Sequence, residues 1–242
     1  MSAESELDLF PPPPKPPASS RWHDLPFGTL DFESTSVDPF TARPVSFAYA
    51  IVDAEGRVEA SMSEIIDCGE ESSEEAIAVH GITDELRREK GVTPGWAIER
   101  IAEALHNARH ERIPVVIMNA RFDWPLLLEE ARRQNIEIEH VDLLDPGLLD
   151  KGCDKYRKGK RRLTDLCARY GVTLDDAHTA VADAIAAARL TRAIINKFLW
   201  LKSSNPSALA SYQARVFEEY RSFLCSDGSR TITKGWPIPV SA

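Results

Sequence analysis

The fold is decided by the stretch Leu25-Pro26-Phe27-Gly28-Thr29-Leu30-Asp31-Phe32-Glu33, an apolar segment that ends in two carboxylates. It predicts a strand that runs into the core. Successive strand side chains point to opposite faces, so Asp31 and Glu33 share one face and Phe32 lies on the other. Neighbouring anions repel each other, and a divalent metal ion between them is the usual solution. A strand end that simply reaches solvent explains the same pattern, so further carboxylates are needed to decide.

The following segments predict two more strands and then helices. Pro44–Val52 alternates as a strand does, and residues 57–66 continue after the turn Asp53-Ala54-Glu55-Gly56, which predicts an antiparallel meander. Helical periodicity covers Glu74–His80 and residues 96–108.

The next segments predict a second group of elements. Residues 114–118 are continuously apolar, which is typical of a strand buried on both faces, and a helix is predicted from Trp124-Pro125 onward. Asp123 lies at this junction, where it fits an N-cap and also a position beside the end of the Asp31 strand. Residues 138–143 predict a fifth strand, and residues 163–169 predict a helix.

A late helix, predicted over residues 178–199, carries Asp183 among alanines. Small residues indicate close packing of this helix on the sheet, although a charge on such a helix usually faces solvent. His178 precedes Asp183 by five residues, which is about 140° around an ideal helix. We therefore expect His178 in the loop or the first turn, at the rim of a site.

These elements predict an α/β domain with a mixed central sheet flanked by helices. Sites in such sheets collect at strand ends, where Asp31, Glu33 and Asp123 fall. The predicted domains are a disordered, proline-rich arm (residues 1–20), a main domain (residues 21–199) and a C-terminal extension (residues 200–242). Within the extension, Pro206–Leu224 predicts an amphipathic helix that packs on its own domain or docks a partner.

Composition and charge narrow the class of protein. The chain has 242 residues, of which 43% are hydrophobic, enough to bury a large core. Its net charge of -9 argues against a protein that coats nucleic acid, but not against an enzyme that binds one end locally. The 4 cysteines form no C-x-x-C pair and predict free thiols. No apolar run approaches the roughly 20 residues of a membrane span. We expect a soluble, cytoplasmic protein without a membrane partner.

The motifs together resemble one known family. D-x-E at a strand end, N-x-x-F-D (residues 119–123) and H-x-A-x-x-D (residues 178–183) follow the order and approximate spacing of the DEDDh 3′–5′ exonucleases, with most likeness to the epsilon proofreading subunits of bacterial DNA polymerase III. Val79-His80-Gly81-Ile82-Thr83 and residues 163–171 match further family segments. Two positions depart from the family: Ser34-Thr35-Ser36 replaces the usual Thr-Thr-Gly, and Met118 stands where histidine is frequent.

The resemblance implies a ribonuclease H-like, five-stranded mixed sheet and hydrolysis of phosphodiesters with two metal ions. Asp31 would bridge both ions, Glu33 and Asp183 would complete the site of the ion that binds the attacking water, and Asp123 would support the second ion. Mg²⁺ suits these oxygen ligands, and Mn²⁺ should substitute. A neutral His178 would act as the general base, and the product would be a nucleoside 5′-monophosphate.

The resemblance also implies substrate-binding residues. Phe32, Thr35 and Asn119 would hold the terminal nucleotide. Lys155, Tyr156 and Arg157 belong to the one dense basic run, which would contact the single strand unless it is only a solvated loop.

Three functional hypotheses follow. The first is a DNA-directed 3′–5′ exonuclease of the proofreading or repair type, for which a DNA polymerase subunit is a candidate partner. The second is an RNA-directed exonuclease of the same family, since the preferred sugar depends on pocket geometry. The third is a noncatalytic nucleic-acid-binding or polymerase-accessory scaffold. The full set of four carboxylates and one histidine disfavours the scaffold, because mutually repelling anions serve no purpose there.

Overall fold

A five-stranded mixed sheet forms the centre of the computed structural model, which describes residues 21–174, 179–226 and 228–239. The strands are β1 (Phe27–Ser34), β2 (Pro44–Val52), β3 (Val58–Ile65), β4 (Val115–Val116) and β5 (Leu143–Leu144). Their order is β3-β2-β1-β4-β5; the β1–β2 and β2–β3 pairs are antiparallel, and the β1–β4 and β4–β5 pairs are parallel. The predicted α/β class and mixed five-stranded sheet are confirmed.

Helices cover both faces of this sheet. They are α1 (Glu74–His80), α2 (Asp84–Lys90), α3 (Pro94–His110), α4 (Ala120–Gln134), α5 (Pro146–Cys153), α6 (Leu163–Tyr170), α7 (Ala180–Lys197) and α8 (Pro206–Leu224). The predicted arm, residues 1–20, lies outside the described residues. Within the described ranges, no helix has both the length and the apolar character that a membrane crossing requires.

The central strand β1 divides the core into two parts. Leu30 and Phe32 pack on one face with side chains of α3 and α4. Phe27 packs on the other face, in a cluster that includes α7, α6 and α8. Because side chains alternate along a strand, Asp31 and Glu33 share the face of Phe27 and point toward α7.

The C-terminal helix α8 packs on its own domain, as one of the two predicted arrangements has it. Leu209 joins the core cluster on the α7 side of the sheet. Gln213 is fully buried, and its side-chain amide donates a hydrogen bond to the Leu143 carbonyl of β5 at 3.0 Å.

Three predicted boundaries are wrong. The strand predicted over residues 114–118 is β4, which covers only Val115–Val116. The fifth strand covers Leu143–Leu144 rather than residues 138–143, since β5 pairs with the two residues of β4 and the preceding segment is irregular. Helix α4 begins at Ala120 rather than Trp124, so Asp123 lies in its first turn and is not its N-cap. The helix begins early because Asn119 turns the chain in a left-handed conformation and Asp145 accepts a hydrogen bond from the Ala120 N–H.

Two helices were not predicted. The sequence of α2 is almost entirely charged and shows no apolar stripe, and the helix is held by its Thr83 N-cap and by the buried side chain of Arg87. The sequence of α5 contains Pro146 and two glycines, which weaken helical propensity. Asp145 caps α5, and packing against α7 and α8 stabilises it.

Candidate active site

Asp31 and Glu33 point toward α7 from the same face of β1. The Thr29 hydroxyl, on that face too, donates a hydrogen bond to the Ala184 carbonyl of α7 at 2.8 Å. Every second residue of a strand points to the same face, so the side chains of Asp31 and Glu33 follow that of Thr29 on this face. The two carboxylates therefore face the N-terminal part of α7.

Asp123 reaches β1 from the first turn of α4, which follows the neighbouring strand β4. Because β4 runs parallel to β1 with Val116 beside Thr29, the residues after β4 continue next to the end of β1. Asp123 is 5% exposed, and its Oδ1 accepts a hydrogen bond from the backbone N–H of Phe32 at 3.1 Å. This contact holds the Asp123 carboxylate at the residue that separates the two β1 acids.

Asp183 lies in the first turn of α7. This helix approaches the sheet closely because small residues meet there: Ala180 and Ala184 pack against Ala48 of β2. The helix thereby carries Asp183 to the carboxylates of β1. His178, the predicted general base, lies outside the described residues.

The four carboxylates repel one another in a poorly solvated environment. Burial raises the pKa of Asp31 well above its usual value, and the charges of the other three acids raise it further. Burial and the charge of Asp183 raise the pKa of Glu33 to about 7. Burial raises the pKa of Asp123 to about 8, although the Phe32 hydrogen bond opposes this shift. Without a cation, the site therefore retains protons that solvated carboxyl groups lose.

This set of donors fits a divalent cation. It consists of carboxylate oxygens, the ligands that Mg²⁺ and Mn²⁺ prefer. The repulsion that raises the pKa values is also the repulsion that a bound cation relieves. Asp31, Glu33, Asp123 and Asp183 are thus a chemically suitable metal-binding group.

A cleft of about 290 Å³ opens beside Glu33. His80 and Ile82, from the family-like segment of residues 79–83, form part of its wall. The Nδ1 of His80 accepts a hydrogen bond from the Ile82 N–H at 3.0 Å, so a neutral ring carries its proton on Nε2. Burial lowers the pKa of His80, which favours this neutral form. The motif located His80, but the sequence assigned it no role in the site.

The three residues predicted to hold the terminal nucleotide differ in their surroundings. The Phe32 ring is 6% exposed and belongs to the core. Thr35 is equally buried, and its hydroxyl accepts a hydrogen bond from the Arg43 N–H at 2.9 Å. Asn119 has a left-handed backbone (φ 59°, ψ 48°) and lines an open cavity. Phe32 and Thr35 thus support packing and loop structure here, whereas Asn119 is accessible to a ligand.

The predicted basic loop divides into internal and exposed residues. Arg157 and Arg161 donate hydrogen bonds to one carboxylate oxygen of Asp150 at 3.0 and 2.7 Å, and Asp150 is fully buried. Lys155 and Tyr156 lie at the surface, where Tyr156 is 89% exposed. Arg157 therefore has a buried structural contact, whereas Lys155 has an exposed ion pair with Glu219 at 2.8 Å and Tyr156 is accessible to a substrate.

Asp145 is a buried carboxylate near the site that sequence reasoning missed. Its Oδ2 accepts a hydrogen bond from the Ala120 N–H at 3.1 Å, and its Oδ1 caps α5. Burial raises the pKa of Asp145 to about 6, and its charge adds to the burial that raises the pKa of Asp123. The sequence Asp145-Pro146 is an N-cap signal that would have located it.

The fold and the site define a class of protein: an α/β domain with a ribonuclease H-like sheet whose central strand carries an acidic centre. The RNase_T family model, described as exonuclease, matches residues 29–191, a range that contains all four carboxylates. The chain belongs to this exonuclease family, as the motifs predict. No curated protein matches the chain.

Solved exonuclease I structures share the fold. One exonuclease I structure matches with a TM-score of 0.64 and 20% sequence identity. The match covers 74% of this chain and 42% of the exonuclease I chain. The zinc-bound complex of Escherichia coli exonuclease I with single-stranded DNA has a TM-score of 0.61 at 20% identity, with coverages of 74% and 43%. The moderately thermophilic exonuclease I from Methylocaldum szegediense has a TM-score of 0.60 at 21% identity, with coverages of 74% and 42%. The present chain spans about two fifths of these proteins.

Proposed function

We propose that the protein is a divalent-metal-dependent 3′–5′ exonuclease that releases nucleoside 5′-monophosphates from single-stranded DNA. The observation that carries this proposal is the convergence of four carboxylates from β1, α4 and α7 at one end of the sheet. Membership of the exonuclease family supports phosphodiester hydrolysis. Exonuclease I, which shares the fold, has been solved with bound single-stranded oligonucleotides, and this supports the choice of substrate.

Asp31, Glu33, Asp123 and Asp183 would hold the metal, with two ions as the arrangement that we propose from the family resemblance. Mg²⁺ is the proposed ion, and Mn²⁺ the substitute. A bound divalent cation supplies Lewis acidity, which makes water nucleophilic at neutral pH and offsets the charge that develops on the phosphate.

The chain's own residues orient this site. The Phe32 N–H fixes one oxygen of Asp123, and the packing of Ala180 and Ala184 on β2 fixes the position of α7 and hence of Asp183. The low exposure of Asp123 limits water on its side of the site. His178 is the proposed general base, which must be neutral to take a proton from water.

The test uses purified protein with 5′-labelled single-stranded DNA and RNA of one sequence, in Mg²⁺ or in EDTA. We expect a ladder that shortens from the 3′ end of the DNA, requires Mg²⁺ and disappears in Asp183→Asn. Degradation from the 5′ end, or a ladder that persists in EDTA, contradicts the proposal. Faster degradation of the RNA would instead identify an exoribonuclease. Binding without cleavage in Mg²⁺ and Mn²⁺ would identify a scaffold.

The biological setting stays a prediction from the sequence. Proofreading or repair, a polymerase partner and a cytoplasmic location all follow from the resemblance and the composition. Copurification of the tagged protein with a polymerase subunit would test the proofreading role.

A further inference from the structure

The C-terminal part of the chain, beyond the residues that the family model covers, folds against the active-site end of α4. Arg121, in the first turn of α4, donates hydrogen bonds to the carbonyls of Thr233 and Gly235, both at 2.8 Å. Its guanidinium stacks on the Phe217 ring of α8, 4.3 Å from the ring centroid. These contacts hold α8 and the segment around Gly235 beside the residues that follow β4.

This arrangement encloses an inner cavity of about 330 Å³, which Asn119 lines. Asn119 directly precedes α4, and Asp123 follows about one helical turn later. Tyr220 and Trp236 give the cavity an aromatic wall. The indole N–H of Trp236 is buried without a hydrogen-bond partner among the described residues. The inner cavity thus connects the active-site end of α4 with an aromatic surface built by the C-terminal segment.

An outer cavity of about 400 Å³ adjoins the inner one, since Lys151 and Tyr220 line both. The Lys151 ammonium lies 3.8 Å from the centroid of the Tyr220 ring. Two further aromatic side chains of the outer cavity, Tyr156 and Phe223, are 89% and 73% exposed. Accessible aromatic rings beside cations are the means by which proteins bind unpaired nucleotides.

Positive charge accompanies these rings. Apart from Arg121, whose guanidinium is bound to carbonyls, three cations line the cavities without a salt bridge to any described residue: Lys160 in the inner cavity, Arg215 in the outer one and Lys151 at their junction. Burial lowers the pKa of Lys151, and the neighbouring charges of Arg161 and Arg157 lower it further. The junction is therefore a region of positive potential, which suits a polyanion.

We propose that the two cavities form a strand track: the nucleotides on the 5′ side of the substrate run through it while the 3′ end lies at the four carboxylates. Bases would stack on Trp236 and Tyr220, and then on Tyr156 and Phe223, with phosphates beside the three cations. The strand track rests on the proposed function and adds to it a role for the C-terminal segment, which makes the enzyme selective for long single strands.

The test compares a dinucleotide, which reaches only the carboxylates, with a 12-nucleotide strand that also fills the track. The variants are Lys151→Gln/Lys160→Gln and Tyr156→Ala/Phe223→Ala. Arg132→Gln, at the exposed far end of α4, is the matched control. Binding is measured with Ca²⁺, and hydrolysis with Mg²⁺.

Both double variants should bind the 12-nucleotide strand about tenfold more weakly, since each lost stacking or phosphate contact contributes strongly to affinity. The lysine variant should also reduce the slope of log Kd against the logarithm of the salt concentration by about 1.4. Each single-strand phosphate contact contributes about 0.7 to this slope, and the variant removes two lysines. Dinucleotide hydrolysis should not change. Equal losses on both substrates, or none on the long one, overturn the track while exonuclease activity stands. If the variants weaken strand binding but the wild-type protein hydrolyses neither substrate, the proposed function is overturned and the strand track stands.

A second, independent cluster lies away from the nucleic-acid site. His106 and His110 are four residues apart on α3, so they share one helix face, and their ring centroids are 4.2 Å apart. The Nδ1 of His106 lies 2.6 Å from Oε1 of Glu139. The other oxygen of Glu139 is held by Arg109 at 3.1 Å. One potential ligand atom from each of the histidines and Glu139 lies within 4.8 Å of the other two.

We infer that this cluster is a surface Zn²⁺ site that ties the segment before β5 to α3. Two imidazoles and one carboxylate are a common zinc-ligand set, with water in the fourth position. Arg109 contacts the Oε2 atom of Glu139, so it orients the carboxylate without occupying Oε1.

The test measures Zn²⁺ binding by calorimetry in an Asp31→Asn/Asp183→Asn background, which weakens the catalytic centre. We expect one equivalent of Zn²⁺ to bind. His110→Ala should weaken this binding at least about tenfold while sparing the hydrogen bond between His106 and Glu139. His140→Ala, whose ring faces the carbonyl of Val141, is the control. Equal affinities in the two variants mean that the cluster is only a His–Glu ion pair.

Discussion

Gln213 of α8 hydrogen-bonds to two backbone groups on the free edge of β5: its Oε1 accepts from the Asp145 N–H at 2.6 Å, and its Nε2 donates to the Leu143 carbonyl at 3.0 Å. One buried side chain thus satisfies backbone groups that a sixth strand would otherwise pair. The contact also ties the C-terminal helix to the residue that holds the start of α4.

Gln213→Ala should therefore lower the free energy of unfolding by about 2–3 kcal/mol, because it leaves two buried backbone groups without partners. Urea denaturation measures this change. Gln134→Ala, a partly buried glutamine at the end of α4, is the control and should cost less. Equal costs would mean that the amide of Gln213 contributes only packing.

Asp31→Asn should reduce exonuclease activity by more than about 100-fold, since even outer-shell changes at metal sites cost 10–100-fold. In EDTA the variant should melt at a higher temperature than the wild type, because the amide removes the cost of burying an ionisable carboxyl group among three other acids. Steady-state hydrolysis and thermal melting test both effects. Glu99→Gln, an exposed acid on α3, should change neither. An active Asp31→Asn variant would contradict the role of the carboxylates.

The metal-free protein should lose stability as the pH rises. Burial raises the pKa of Glu33 to about 7 and that of Asp123 to about 8, whereas carboxyl groups of the unfolded chain titrate near 4. The folded state therefore binds more protons between these values. Its extra stability is complete below about pH 4 and is lost as the pH rises through 7 to 8.

Melting curves in EDTA at pH 5.5 and 8.5, compared with curves in Mg²⁺, test this expectation. Mg²⁺ should offset most of the loss at the higher pH, because it replaces the protons. The double variant Glu33→Gln/Asp123→Asn should show a flatter dependence. A wild-type melting temperature in EDTA that rises with pH would show that the carboxylates are well solvated.

Arg157→Ala should destabilise the protein by about 1–3 kcal/mol, because it removes a donor from the buried Asp150 carboxylate. Lys155→Ala, in the same loop but exposed, should leave stability unchanged. Denaturant unfolding measures the stability of both variants, and their affinities for a single strand are measured alongside. If Arg157→Ala weakens strand binding without affecting stability, Arg157 contacts the substrate as the sequence predicts.

Gly28→Ala should destabilise the protein by about 1–3 kcal/mol through overpacking. A Cβ at this position of β1 would collide with the Tyr49 hydroxyl and lie 3.1 Å from its Cζ. Tyr49→Phe should recover part of the loss in the double variant, since it removes the colliding oxygen. Additive costs in this double-mutant cycle would rule out the collision as the cause.

Periodicity and burial agree in two of the elements that sequence reasoning predicted correctly, β2 and α8. Strand β2 is buried along its whole length, and α8 carries a clear apolar stripe between an Asn205 cap and its end at Leu224. Helix α5 was missed because its stability comes from contacts with α7 and α8 rather than from its own residues. The start of α4 was misplaced because Pro125 usually marks a first turn, whereas here it lies inside the helix.

The candidate site shows the same division. The acids were found through motif spacing, and their placement is consistent with strand alternation and with the parallel pairing of β1 and β4. Arg157 has a structural role because it donates a hydrogen bond to the buried Asp150, seven residues earlier. The basic run alone does not reveal that Asp150 is buried. Asp145 was missed although Asp145-Pro146 is a local N-cap signal, and Gln213 was missed because its contacts with the backbone at the sheet edge carry no local pattern.

The hydrogen bond from Thr29 to Ala184 joins residues 155 positions apart, so β1 and the helix that carries Asp183 meet only when nearly the whole domain exists. A polypeptide still emerging from the ribosome, or cut short by premature termination, has no complete acidic centre. Under the proposed function, newly made chains cannot cut nearby nucleic acid until translation has passed α7.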